Sequence, residues 1–151
     1  MTNIELYQEI VDIVFPIEGV IVKEGNQFQC DIDEGIIYVS NIYDNDFQDN
    51  YLPYLLSDLG FKYFNYCSEK TWAFLHELGH MYNGWYTDRE DYGLKVLSNI
   101  ETASSLIESI NKYNMIEDEY YANSWAYDFL LKNKGVVKRL EKEIGYVITN
   151  D

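Results

Sequence analysis

Residues 76–80 read HELGH, an instance of the H-E-x-x-H pattern, and this stretch decides the architecture expected for the chain. On a helix, residues four apart share a face with Cβ atoms roughly 5–6 Å apart, so His76 and His80 can bind one metal ion. Glu77 follows the first histidine directly, where its carboxylate can take a proton from a metal-bound water. The pattern therefore predicts a zinc site with His76 and His80 as ligands and Glu77 as the catalytic acid/base.

The sequence around the motif indicates a packed helix over residues 69–83. Ser68 is a favourable N-cap, Trp72 adds an apolar residue one turn before the motif, and Gly84 ends the helix. Gly79 costs about 1 kcal/mol relative to alanine in a helix interior. A glycine at this position indicates that another backbone passes close to the helix.

Apolar periodicity and turn residues predict an α+β fold in one domain over residues 1–151. The turns at residues 25–26 and 33–35 predict a small three-stranded antiparallel sheet packed on the helix of the motif. The predicted strands are residues 19–23, 27–32 and 36–40. The predicted helices are residues 3–14, 53–59, 69–83, 94–113, 116–134 and 136–144, with loops at residues 41–50 and 84–93.

Charge and composition limit the class of partner. The net charge of −15 disfavours direct binding to nucleic acid and suits a basic protein partner. No apolar run reaches the roughly 20 residues that cross a bilayer, and the N-terminus lacks the features of a signal peptide. We therefore expect a cytoplasmic protein without membrane contact. Cys30 and Cys67 form no C-x-x-C pair and are expected to be reduced, packed thiols.

A carboxylate is the expected third zinc ligand, because a catalytic zinc usually has three protein ligands and the chain has only two histidines. One helical stripe is formed by Glu119, Ala122, Asn123, Ala126 and Leu130. Its two alanines allow close packing near Gly79, which would bring Glu119 to the metal. Asn123 could bind a ligand imidazole and fix its tautomer. Glu101, on a different predicted helix, is the main alternative to Glu119.

The HELGH motif and the later E-x-x-A-N-x-(aromatic)-A run at residues 119–126 resemble the ImmA/IrrE-type metallopeptidases. The resemblance covers residues 68–81 and 119–131, and elsewhere only the order of elements. It implies a zincin-like fold with His76, His80 and Glu119 as zinc ligands and Glu77 as acid/base. It further implies a narrow-specificity endopeptidase, associated with mobile elements, that cleaves a regulatory protein such as a helix-turn-helix repressor.

The chain departs from the family pattern in three places. The interval between His80 and Glu119 is longer, as though a helical segment near residues 94–113 were inserted. Trp125 stands where phenylalanine is usual, and no proline follows Leu131.

Two other functions remain open at the level of sequence. One is a non-catalytic metal-binding interaction protein of a mobile element, with the peptidase fold as a docking surface. The other is a structural zinc site closed by a fourth ligand such as Cys30 or Cys67. The residue that stabilises the oxyanion of an endopeptidase is also open, by residue type alone, among Tyr82, Tyr120, Tyr121 and Arg89.

Overall fold

The computed structural model describes residues 3–40, 57, 59–60, 67–85 and 89–143. Within these ranges the fold is α+β, with six helices and one three-stranded sheet. The helices are α1 (Asn3–Val14), α2 (Glu69–Asn83), α3 (Arg89–Thr102), α4 (Leu106–Asn114), α5 (Glu117–Lys132) and α6 (Lys134–Glu143). The strands are β1 (Ile21–Glu24), β2 (Gln29–Asp31) and β3 (Ile36–Val39). The predicted α+β class and the helix that carries HELGH are confirmed.

The sheet is mixed, with strand order β1-β3-β2. β2 and β3 form the expected antiparallel hairpin, and Gly35 adopts a φ of 68° at its turn. β1 pairs with β3 in parallel, so the prediction of a wholly antiparallel sheet is wrong for this pair. After β1 the chain crosses the end of β3 and enters β2 on the far side. Gly25 permits this crossing, because a Cβ there would come within 3.2 Å of the Tyr38 side chain.

α1 covers the outer edge of β1 through one glutamine. The Gln8 side chain donates to the carbonyl of Val20 at 2.9 Å and accepts from the amide of Val22 at 2.8 Å. The apolar face of α1 is buried in the same core as the sheet and α2. That face consists of Leu6, Tyr7, Ile10 and Val11. α2 packs against β2 and β3 on one side and most extensively against α5 on the other.

The segment between the motif and Glu119 differs from the prediction of one helix over residues 94–113. α3 already begins at Arg89, inside the predicted loop 84–93, and ends at Thr102. A separate helix, α4, begins after Ser105, whose hydroxyl caps it by accepting from the amide of Glu108 at 3.1 Å. A serine in this position competes with helix continuation because its side chain supplies the cap itself. The two helices are joined by Asn99, which donates to the Ser109 carbonyl at 2.8 Å.

The last two helices agree with the prediction except at their junction. α5 ends at Lys132 with Asn133 as its C-cap, and Gly135 lies in the first turn of α6 rather than at the end of α5. The predicted loop at 41–50 and most of the predicted helix at 53–59 lie outside the described residues. Among the helices that are described, none has the length and apolar character needed to cross a membrane.

The start of α2 is fixed from two directions. The Ser68 hydroxyl caps the helix by accepting from the Thr71 amide at 3.2 Å. Glu141 of α6, which is fully buried, accepts from the Ser68 amide at 3.0 Å and contacts the Ser68 hydroxyl at 3.1 Å. At the other end, Gly84 has a φ of 68° and its amide donates to the His80 carbonyl at 2.9 Å. The position of the HELGH helix is therefore set by the last helix of the described chain as well as by its own caps.

Candidate metal centre

Gly79 allows α2 and α5 to approach until their backbones touch. A Cβ at Gly79 would lie 2.7 Å from the carbonyl oxygen of Ala122 and 3.1 Å from its Cα. Ala122 and Ala126 are both fully buried. The close backbone approach expected at Gly79 is confirmed, and it is made to Ala122. It brings Glu119, in the first turn of α5, to the side chains of His76 and His80.

The three side chains form one compact group of ligand atoms. Glu119 Oε1 lies 3.0 Å from His76 Nε2, and Glu119 Oε2 lies 2.9 Å from His80 Nε2. The two Nε2 atoms are 3.1 Å apart. Zinc bonds of about 2.0–2.2 Å in tetrahedral geometry would place such atoms roughly 3.3–3.6 Å apart, only a few tenths of an ångström more. These residues could hold a metal ion.

The tautomer of His76 follows from Trp72 and Asn123. The indole Nε1–H of Trp72 can only donate, and it lies 3.2 Å from Asn123 Oδ1, which must therefore be an acceptor. His76 Nδ1 lies 2.8 Å from the same oxygen, so Nδ1 carries the proton. In the neutral ring, Nε2 then presents its lone pair to the Glu119 carboxylate. Two such electron-rich atoms at 3.0 Å require a cation between them, either a proton or a metal ion.

His76 and Glu119 shift each other's pKa in opposite directions. Burial lowers the pKa of His76, but the hydrogen bond and charge of Glu119 outweigh burial and raise this pKa to about 9. Burial by itself raises the pKa of Glu119, yet its bonds to His76 and His80 hold the pKa below its usual range. Both shifts describe one buried ion pair. Its negative partner, with 1% of its side chain exposed, is kept ionised and is ready to bind a divalent ion.

Glu77 lies beside this group without belonging to it. It is half-buried, and the set of convergent ligand atoms consists of His76, His80 and Glu119 alone among the described residues. Burial raises the pKa of Glu77, the two imidazoles lower it, and the charge of Glu119 raises it again, with a net increase. A carboxylate with a raised pKa is a more effective proton acceptor and donor near neutral pH.

The alternative ligands named from the sequence do not reach the group. Glu101 is exposed on α3, and neither Cys30 nor Cys67 is part of the described ligand set. Burial raises the pKa of both thiols, and for Cys30 the charge of Glu77 adds to the effect. The raised pKa keeps both thiols neutral. Because a cysteine binds metal as the thiolate, this disfavours both as ligands. No fourth protein ligand therefore joins the three within the described part of the chain.

Sequence reasoning missed three residues around the site. Trp72 was expected only to pack, although residues 72, 76 and 80 fall four apart on one helix face and this spacing was the available signal. Tyr92 falls in the loop predicted at residues 84–93, but it lies on α3 and its hydroxyl donates to Glu119 Oε2 at 3.0 Å. Tyr113, near the end of α4, has its hydroxyl 3.4 Å from that of Tyr92. Local sequence carries no signal for these two tyrosines, because their position depends on how α3 and α4 fold back.

Comparison with protein-family models, with curated proteins and with solved structures gives no match to this chain. The function of the site is therefore inferred from its geometry.

Proposed function

We propose that this protein is a zinc-dependent endopeptidase of narrow specificity with a zincin-like active site. The observation that carries the proposal is the convergence of His76 Nε2, His80 Nε2 and the Glu119 carboxylate, with Glu77 beside them. Two imidazoles and one carboxylate are a ligand set of catalytic zinc, which keeps a further position for water or substrate. The lack of a fourth ligand among the described residues supports a catalytic site over a structural one.

The chain's own residues would divide the chemistry as follows. Asn123 holds His76 with Nε2 directed at the metal position, and Glu119 supplies the negative charge that retains a divalent ion. When bound, zinc lowers the pKa of water and polarises a carbonyl oxygen. Glu77 accepts the proton of the attacking water and then delivers it to the departing amine. The peptide C–N bond breaks. The water oxygen becomes part of the new carboxyl group, and its proton is transferred to the new amino group.

The substrate is proposed to be a basic regulatory protein of the helix-turn-helix type. The net charge of −15 favours a positively charged partner. Cleavage of a folded partner requires an exposed, flexible segment in it, which makes the specificity narrow. A cytoplasmic location fits such a substrate.

A second candidate is a metal-binding docking protein. The observation that favours it is a row of aliphatic side chains on α3, Leu94, Leu97 and Ile100, each of which is more than half exposed. Exposed apolar patches on a globular protein often mark contact with another protein. This candidate predicts stable binding of a partner without cleavage.

The variant Glu77→Gln tests the proposal. We expect it to bind zinc like the wild type and to lose at least about 100-fold in hydrolysis, because general acid/base catalysis contributes roughly 10²–10⁴-fold. Zinc-loaded wild type and variant are incubated with a proteome-derived peptide library, and new amino termini are identified by mass spectrometry. New termini in the wild-type reaction alone support the endopeptidase. Equal cleavage by E77Q excludes this mechanism, and no cleavage by the wild type favours the docking protein.

A further inference from the structure

The carboxylate of Glu119 has more partners than the two histidines. Its Oε1 faces His76 Nε2 at 3.0 Å, and its Oε2 faces both His80 Nε2 at 2.9 Å and the Tyr92 hydroxyl at 3.0 Å. A phenol donates to a carboxylate, so Tyr92 binds the ionised form of Glu119. The side chain is thus fixed from two helices besides its own.

Tyr113 extends this arrangement. Its hydroxyl is 3.4 Å from that of Tyr92. A phenol has an ordinary pKa of about 10, so both hydroxyls carry the proton that they can donate near neutral pH. They lie on α3 and α4, the segment that separates the two histidines from Glu119 along the chain.

We propose that Tyr92, supported by Tyr113, is a positioning residue of the metal centre that acts through Glu119. A glutamate side chain has three rotatable bonds, and a buried carboxylate without a donor is free to leave the ligand orientation. The Tyr92 hydroxyl opposes this change, since it donates to the same oxygen that faces His80. The α3–α4 segment would then determine how tightly the metal is held. This inference rests on the metal site of the proposed function, but not on hydrolysis.

The simpler explanation is that Tyr92 is a partly buried tyrosine whose hydroxyl needs an acceptor. The two explanations differ in one respect. A residue that acts through Glu119 loses its effect on the metal once the Glu119 carboxylate has been removed. A residue that only stabilises the fold has the same effect with or without that carboxylate.

The test is the zinc affinity of the full-length protein, measured by competition with a chromophoric chelator. Hydrogen-bond partners of metal ligands typically contribute 10–100-fold in affinity, so Tyr92→Phe is expected to weaken zinc binding by at least about tenfold. Tyr113→Phe should have a smaller effect in the same direction. Tyr121→Phe is the matched control, because Tyr121 lies on α5 close to Glu119 but packs against the ring of Tyr120. It should leave zinc affinity within about twofold of the wild type.

The double variant Y92F/E119A separates the two explanations. We expect the double variant to bind zinc as weakly as Glu119→Ala alone. In a second measurement, the visible spectrum of bound Co²⁺ should change in Y92F but not in Y121F. The inference is overturned if Y92F binds zinc as tightly as the wild type, or if Tyr92→Phe lowers zinc affinity equally in the wild type and in Glu119→Ala. Either result leaves the endopeptidase proposal standing. A wild-type protein that binds no zinc overturns both.

Discussion

The proton on His76 has to leave before a metal can bind at Nε2. The pKa of His76 is about 9, because the hydrogen bond to Glu119 and the negative charge of Glu119 more than offset the effect of burial. The folded pKa is raised above the ordinary value of about 6.5. The ion pair therefore stabilises the metal-free fold fully below about pH 6.5, and this contribution is lost as the pH rises through 9.

Zinc and this proton should compete. We expect zinc affinity to increase from pH 7 to pH 9, with release of about one proton from His76 for each zinc ion bound near neutral pH. Isothermal titration calorimetry in buffers of different ionisation enthalpy measures both quantities. A dissociation constant that stays the same over this range would contradict the protonated His76–Glu119 pair.

Asn123 is predicted to contribute more to stability and to zinc affinity than its neighbour Ser124 on α5. Replacing it with alanine removes the acceptor of both Trp72 and His76, and a buried donor without a partner costs about 1–3 kcal/mol. We expect Asn123→Ala to lower the free energy of unfolding by this amount and to weaken zinc binding about 10–100-fold. The control is Ser124→Ala, since among the described residues the Ser124 hydroxyl bonds within its own helix, to the Tyr120 carbonyl at 2.9 Å. Equal effects of the two variants would show that Asn123 does not orient His76.

At the scale of elements, the site depends on how closely α2 and α5 pack. The close packing of these two helices could be predicted from sequence, because Gly79, Ala122 and Ala126 are small residues. Asn123 lies on the same helix face as the two alanines. The parallel pairing of β1 could not be predicted, since a Gly-Asn turn fits a hairpin and a crossing equally well. The break between α3 and α4 was also missed, although Ser105 and Glu108 stand at the spacing of a serine N-cap and the residue it caps.

Gly79→Ala tests the contact between these two helices. The added Cβ would lie 2.7 Å from the Ala122 carbonyl oxygen, so the helices must separate. We expect a loss of about 1–3 kcal/mol in the free energy of unfolding, together with weaker zinc binding because Glu119 moves away. Chemical denaturation of the metal-free protein and zinc titration measure the two effects.

Gly93→Ala is the matched control. Gly93 lies within α3, and a Cβ there has nothing within 4 Å. Its substitution should stabilise the protein by up to about 1 kcal/mol through helix propensity. If both alanine variants were equally stable, the backbone contact at Gly79 would have no energetic role.

At the scale of the whole molecule, the candidate metal centre joins helices that are far apart in sequence. His76 and Glu119 are separated by α3 and α4, and Glu141 of α6 holds the start of α2. The sequence predicts that His76, Glu77 and His80 lie close together, because one helix carries the whole motif. Glu119 could be preferred over Glu101 only through the pattern of its neighbours. Tyr92, Tyr113 and Glu141 could not be predicted, because their contacts exist only after long-range packing.

Metal binding should therefore stabilise the whole fold. Free zinc at 100 times its dissociation constant adds about 2.7 kcal/mol, and for a domain of this size that raises the melting temperature by roughly 5–10 °C. Calorimetry with zinc and after chelation measures the shift.

Two carboxylate variants identify the third ligand in the same assay. Glu119→Gln should remove most of the zinc-dependent shift, because it removes the charge that faces both imidazoles. Glu101→Gln should retain the shift, since Glu101 is exposed on α3. The reverse result would make Glu101 the ligand.

The most direct test of the metal centre is X-ray absorption spectroscopy of the zinc-loaded protein in solution. We predict two imidazole nitrogens and carboxylate and water oxygens at about 2.0–2.2 Å, with no sulfur at about 2.3 Å. The imidazole signal should fall by half in His80→Ala. A sulfur ligand, or a spectrum without two imidazoles, would contradict a catalytic ion held by His76, His80 and Glu119.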